Sequence, residues 1–233
     1  MSKQVVEKEK NEVVVGAALE DWGMGNNMTS DDLVIPKVWA MQKTSAMVDS
    51  DEASFGDLIN SITKETLGTF DNGIDIIPVW MYKTWLTTEN GKFVSISDAH
   101  DPNERPYEEN GMRNEFCYNF YALVVGQGEI PFVITFKGKS RNTGKQLATQ
   151  MYVLNRAAKL PPCGTVMKLW THKDSNDKGT FATLKVRPDR VALAEESANA
   201  LYWFKEVSKK AMNVDDRDIT GDTSDANVET EEF

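Results

Sequence analysis

A mainly-β fold with two helices is predicted by three observations. Three pairs of β-branched and aromatic runs are joined by short polar turns; two segments carry apolar residues at helical spacing; and the chain ends in an acidic stretch too polar to pack. Residues 1–30 read as a flexible N-terminal arm, because "MSKQVVEKEKNE" is charged and aperiodic and "GMGNNMTSDD" is rich in turn formers. "LVIPKVWAMQ" (33–42) is extended, since Pro36 disfavours helix at the residue before it. "SFGDLINSIT" stays open between a strand pair and a helical turn.

The stronger signals begin at Ile74. "IDIIPVWMYKTWLTT" and "KFVSIS" flank an Asn-Gly turn and predict a hairpin. A polar loop with two prolines (98–112) leads to a second hairpin, "RNEFCYNFYALVV" with "IPFVITFKG". From Ser140 the period changes. Leu147, Met151, Leu154 and Ala158 recur at helical spacing, with Ser140–Thr143 available as caps, and "PPCG" ends the segment. "TVMKLWTHK" and "TFATLKVRP" make a third hairpin. A last helix, about 191–210, places Leu193, Ala194, Ala198, Leu201, Phe204 and Val207 on one broad face. Strands, then a helix, then a closing hairpin is the order of an OB-fold-like antiparallel barrel, here with extra strands and a C-terminal helix; a generic α+β sandwich is the competing arrangement. The expected division is an arm (1–30), one domain (31–212) and a disordered acidic tail (213–233).

Forty per cent hydrophobic residues in a chain of 233 suffice for a real core. Net charge is −10, but it is unevenly spread. Residues 31–131 hold seven Lys and Arg against seventeen Asp and Glu, whereas residues 132–190 hold twelve against three. Local field, not net charge, decides what a surface attracts. Cys117 and Cys163 form no metal-spaced pattern, no leader or long apolar run is present, and a reducing cytoplasm without membrane attachment is expected.

Catalytic patterns fail on inspection. A phosphate loop needs G-x-x-x-x-G-K-[ST]; Val133 stands where Gly138-Lys139-Ser140 would need its first glycine, and Gly144-Lys145 is followed by Gln146. His100 and His172 have no nucleophile or partner nearby in sequence, and Asp31–Asp32 and Glu108–Glu109 fall in loops as solvated charge. Neither enzyme activity nor any cofactor or metal is expected.

The basic block is more informative. Lys137, Lys139, Arg141, Lys145, Arg156, Lys168, Lys185 and Arg187 are interleaved with Tyr152, Trp170 and Phe181. Cations along phosphates and aromatic faces under bases are what single-stranded nucleic acid requires. On "TVMKLWTHK", alternation puts Val166, Lys168, Trp170 and His172 on one side, and the paired strand adds Phe181, Thr183, Lys185 and Arg187. Trp80, Tyr82, Lys83 and Trp85 of the first hairpin extend the set. The bland reading is that aromatics of a β-protein fill its core.

The tail brings Asp215, Asp216, Asp218, Asp222, Asp225, Glu229, Glu231 and Glu232 against Arg217 alone, and closes on Phe233. Such a tethered polyanion competes with nucleic acid for the same cations at high effective concentration. With an OB-like core, "DDRDITGDTSDANVETEEF" resembles the ends of the phage single-stranded DNA-binding proteins of the T7 type. That resemblance implies a protein that coats single strands during replication and recombination in the infected host's cytoplasm. It also implies that the tail acids and Phe233 contact replication proteins such as polymerase or helicase–primase. Whether the chain forms a homodimer stays open. Rival expectations are a protein-interaction or virion component, and a DNA mimic that inhibits a host enzyme.

Overall fold

The computed structural model describes residues 34–208, apart from 129 and 178. The arm and the acidic tail expected at 1–30 and 213–233 lie outside the described residues. The fold is mainly β, a curled antiparallel half-barrel with few helices. Three short strands, β1 (Val38–Ala40), β2 (Leu58–Asn60) and β3 (Thr66–Gly68), form a small sheet, with a helical turn α1 (Ala46–Asp49) between the first two. The large sheet holds β4 (Ile74–Glu89), β5 (Lys92–Asp98), β6 (Glu108–Glu109), β7 (Met112–Val124), β8 (Phe132–Phe136), β9 (Thr165–Asn176) and β10 (Gly179–Val191). Its order is β10-β9-β4-β7-β6, with β5 beside β4 and β8 beside β7.

All three expected hairpins form. The β4–β5 turn is Asn90-Gly91, both with positive φ (50° and 77°), which suits a tight turn matched to strand twist. Pro78 is tolerated inside β4 because the register against β7 shifts between Pro78 and Trp80, and a bulge frees the strand from needing that N–H.

Alternation gives the sheet two apolar faces. Ile74, Ile76, Phe120, Ala122, Ile134, Phe136, Met167 and Leu169 point inward and are closed over by Val38, Leu58, Leu147 and Met151. Ile77, Val79, Leu123, Val133 and Val166 point outward beneath helix α4 (Ala194–Val207). Arg190 fixes the start of α4 to β10 through two bonds to Glu196, at 2.7 and 2.6 Å, and Glu196 also accepts the Leu193 N–H at 2.8 Å.

No strand pairing among the described residues joins β8 to β10. The seam is bridged instead by the segment before and after β1 and by the turn ahead of the helix. The Val133 N–H donates to the Pro36 carbonyl at 2.8 Å. Gln42 uses its side-chain amide as a strand would, accepting from the Ala182 N–H at 2.8 Å and donating to the Ala182 carbonyl at 3.2 Å. Ser140 Oγ accepts the Leu184 N–H at 2.9 Å. Ser140 was expected to cap the helix; it caps the open edge of β10 instead, and no side chain caps this helix.

The helix expected at 140–160 is α2 (Arg141–Thr149), a π turn (Gln150–Leu154) and α3 (Asn155–Ala157). Gly144 lets it lie flat on the sheet: a Cβ there would fall 2.8 Å from Phe136 Cβ and 2.9 Å from Tyr118 Cβ. The π turn adds a residue and rotates the inward face. Leu147 and Met151 are buried as expected, but Leu154 is 51% exposed and Asn155 takes its place at 1%. Asn155 then uses its whole side chain. Its Oδ1 accepts from Gln150 Nε2 (2.9 Å) and Thr165 Oγ1 (2.7 Å), while Nδ2 donates to the carbonyls of Pro161 (3.2 Å) and Pro162 (2.9 Å).

The face of α4 also differs from expectation. Ala200, Trp203, Phe204 and Val207 pack inward, whereas Leu193 and Leu201 stay exposed. Two apolar stripes compete on this helix. The sheet takes the one pairing a small Ala200 with two large rings, and Phe204 meets Trp80 edge-on at 5.5 Å.

Candidate nucleic-acid interface

The β9–β10 hairpin carries the densest part of the basic block, and its register decides which side chains meet. Lys168 lies opposite Arg187, Trp170 opposite Lys185, His172 opposite Thr183 and Asp174 opposite Phe181. Met167, Leu169 and Leu184 face the core, so by alternation these pairs face outward. Trp170 is half-buried, with Lys185 across from it and the Arg187 guanidinium 5.7 Å from its ring.

Not all of this charge is free. Lys168 Nζ is 3.0 Å from Asp75 Oδ1 on the neighbouring strand. Lys139, on the turn before α2, reaches to the hairpin tip. There it lies 4.7 Å from the Phe181 ring, 3.3 Å from Asp174 Oδ1 and 3.1 Å from the Ser175 carbonyl. The Asp174 carboxyl is held below its ordinary range chiefly by the Ser175 N–H, with Lys139 adding to it. Lys185 and Arg187 make no ion pair with a described residue.

The remaining cations sit elsewhere. The helix covers the inner face of the sheet, so the exposed Lys145 and Arg156 do not line up with the outward Trp170. Lys137 is half-buried, and Arg141 borders a small cleft of about 90 Å³ together with Trp85, Arg105 and Tyr107. Arg105, Arg113 and Tyr107 were missed because they belong to a segment whose average is acidic. Arg105 nevertheless lies 5.9 Å from the Trp85 ring, and Arg113 lies 4.9 Å from that of Tyr107.

The aromatic expectations need correction in the first hairpin. Trp85 is 2% exposed, packed edge-on against Phe116 and bonded through Nε1 to Glu104 at 3.3 Å, so it offers no face to a base. Trp80 lies beneath Phe204, Tyr82 packs on Tyr121 at 5.4 Å, and Lys83 donates to the His100 carbonyl at 3.1 Å. The reason is common to them: this half of β4 is covered on both faces. Tyr152 is 37% exposed on the π turn; burial of its ring raises the phenol pKa, and the Met81 backbone hydrogen-bonds its hydroxyl. The structure thus gathers Phe181, Lys185, Trp170, Arg187 and Lys168 on one hairpin, with Lys139 reaching its tip from the turn before α2, and leaves the other candidates outside it.

Neither thiol is poised for chemistry. Burial pushes Cys117 up to about 12 and raises Cys163 as well. Among the described residues, no group of three or more His, Cys, Asp or Glu is placed to hold a metal ion. No helix among them is long and apolar enough to cross a membrane.

Comparison with known families bears on the whole fold, since residues 8–215 match the family described as Pam3 phage gp34-like protein. The chain belongs to that family. The gp34-like description names a phage and says nothing of DNA or of the T7-type proteins that the tail resembles. No curated protein and no solved structure matches this gp34-like chain.

Proposed function

We propose that this gp34-like protein is a non-enzymatic single-stranded DNA-binding protein of phage replication or recombination, at work in the host cytoplasm. The observation that carries the reading is Trp170, a half-buried ring on an outward strand face, with Lys185 opposite it and the Arg187 guanidinium against its ring, neither cation ion-paired to a described residue. A ring so placed stacks any base, and the flanking cations take the phosphates on either side, so binding is strong without reading sequence. Lys139 and Phe181 extend the track towards the hairpin tip. A curled half-barrel with a helix ahead of its closing hairpin is in keeping with an OB-like core, whose strands present such surfaces.

The tail completes the proposal. Eight carboxylates within residues 215–233 compete with DNA for the hairpin cations, and Phe233 with its α-carboxylate gives replication partners an anchor.

Affinity for fluorescent oligo(dT) across a salt series, for the full chain and for residues 1–214, tests both parts. The expected result is tighter binding by the truncated chain, with log affinity falling linearly against log salt. Absence of binding by either chain at low salt would remove DNA from the picture and favour a protein partner for this surface.

A further inference from the structure

We infer that the cleft between the 98–107 loop and the start of α2 is a second ligand site, one that takes the phosphate of a nucleoside monophosphate. Its floor is the buried pair Trp85 and Phe116, and Arg105, Tyr107 and Arg141 border it. Phe116 shares its side of β7 with Phe120 and so faces inward, with Trp85 opposite it on β4. The cleft therefore lies on the inner face of the sheet, whereas Trp170 stands on the outer one.

Charge points to a phosphate. Arg105 and Arg141 come from separate segments, both are exposed, and neither guanidinium forms an ion pair with a described residue. Glu115 is the one carboxylate lining the cleft, and Arg113 already holds it at 2.6 Å. Glu104 is committed to the Trp85 indole and the His100 N–H, both at 3.3 Å. With all five counted, three arginines stand against two carboxylates and the surplus is positive. Two guanidinium forks with no protein anion between them match the oxygens of a phosphate.

Size and the aromatic ring narrow the class. A volume of about 90 Å³ holds a phosphoryl group but not a nucleoside as well. Whatever the phosphate carries must lie outside, where Tyr107 is 57% exposed. The Arg113 guanidinium lies 4.9 Å from that ring, and the exposed remainder can stack a base. The loop is also held ready. On one side of Arg105, Glu104 ties it to Trp85. On the other, Asn114 donates from Nδ2 to the Pro106 carbonyl at 3.1 Å and from its N–H to the Tyr107 carbonyl at 2.7 Å. Asn114 is buried and is itself fixed by the Thr87 hydroxyl at 2.9 Å. Arg105 and Tyr107 thus project from a backbone that needs little further ordering, which lowers the cost of binding.

This inference does not rest on the proposed coating of single strands and is tested apart from it. The probe is dTMP, titrated into the isotope-labelled full chain while the resonance of the Trp85 indole N–H is followed. Saturable binding that shifts this resonance is expected, with thymidine binding far more weakly. Arg105→Gln and Arg141→Gln should each weaken dTMP by about tenfold, the worth of one charge-assisted contact. Tyr107→Ala should weaken dTMP but not inorganic phosphate, and Trp170→Ala should change neither. All three cleft side chains are exposed, so the fold should persist, which circular dichroism checks. A strand end and a free nucleotide share this chemistry. Tighter binding of oligo(dT) with a terminal phosphate than without one, lost in Arg105→Gln, identifies the strand end; equal binding of the two identifies the free nucleotide. Failure of millimolar dTMP to bind overturns the inference, as does binding that both arginine variants leave intact. Neither result bears on whether unphosphorylated oligo(dT) binds the Trp170 face.

Discussion

Asn155→Ala is expected to cost about 3–5 kcal/mol, the largest loss from any single side chain outside the apolar core. The estimate follows from what would be stranded. The side chain is 1% exposed and serves four partners: the Gln150 amide, the Thr165 hydroxyl and the carbonyls of Pro161 and Pro162. Each buried polar group left without a partner costs roughly 1–3 kcal/mol, and water reaching the new cavity recovers part of that. At about 2–4 °C per kcal/mol for a fold of this size, the melting temperature should fall by about 6–20 °C. Gln150→Ala removes only one of the four bonds and should cost about 1 kcal/mol. Urea unfolding of both variants decides the matter: equal and small losses would show that the π turn and the Pro161–Pro162 loop hold together without Asn155.

The second large effect concerns binding. Trp170→Ala should weaken oligo(dT) binding by roughly 1–3 kcal/mol, the contribution of one stacked base, which is between about fivefold and 150-fold. Lys185→Gln with Arg187→Gln should act differently. Each lost phosphate contact lowers the salt slope of single-strand binding by about 0.7, so the pair should flatten it by about 1.4. Trp170→Ala should leave the slope unchanged. Measured across one salt series, the three side chains separate into a stacking and an electrostatic share. Affinity and slope unchanged in both variants would place the DNA elsewhere, with the half-exposed Tyr152 and the Arg141 cleft next in line. Both variants change an outward face, so the fold should persist in each.

Much of the architecture was legible because its signals are local. The Asn-Gly turn of the first hairpin, the change from period two to helical period after Lys139, and the "PPCG" stop each depend on neighbours within a few residues. The alternation of β9 was readable for the same reason: Trp170 and Lys168 share a face whatever lies above them. What failed depends on contacts distant in sequence. Trp80 and Trp85 look like Trp170 in sequence, but Phe204 and the 98–107 loop cover them, and no local pattern reports that. Leu154 was read as inward because the expected helix had a regular period; a single extra residue in the π turn sent it out and brought Asn155 in. On α4, the apolar residues read as one broad face, but the sheet takes only the side with Ala200, Trp203, Phe204 and Val207 and leaves Leu193 and Leu201 out. Arg105 and Arg113 were hidden by charge averaging, which erases a basic pair set among acids. Gln42 had no signal at all, since its use as a strand substitute needs Ala182, 140 residues away.

The Gln42 contact also bears on how the barrel breathes. Elsewhere, neighbouring strands are sewn together by ladders in which each bond depends on the next. Along the line between β8 and β10, a few side-chain bonds and one short bridge serve as separate stitches, so any of them can release without unravelling a strand. Transient parting should begin there. The amides of Ala182 and Leu184 should exchange with solvent well before that of Phe120, which lies between two paired strands. The molecule would then open like a book along this spine, with the core packed between β8, β10 and the helix exposed first, and native-state hydrogen exchange read residue by residue would show it.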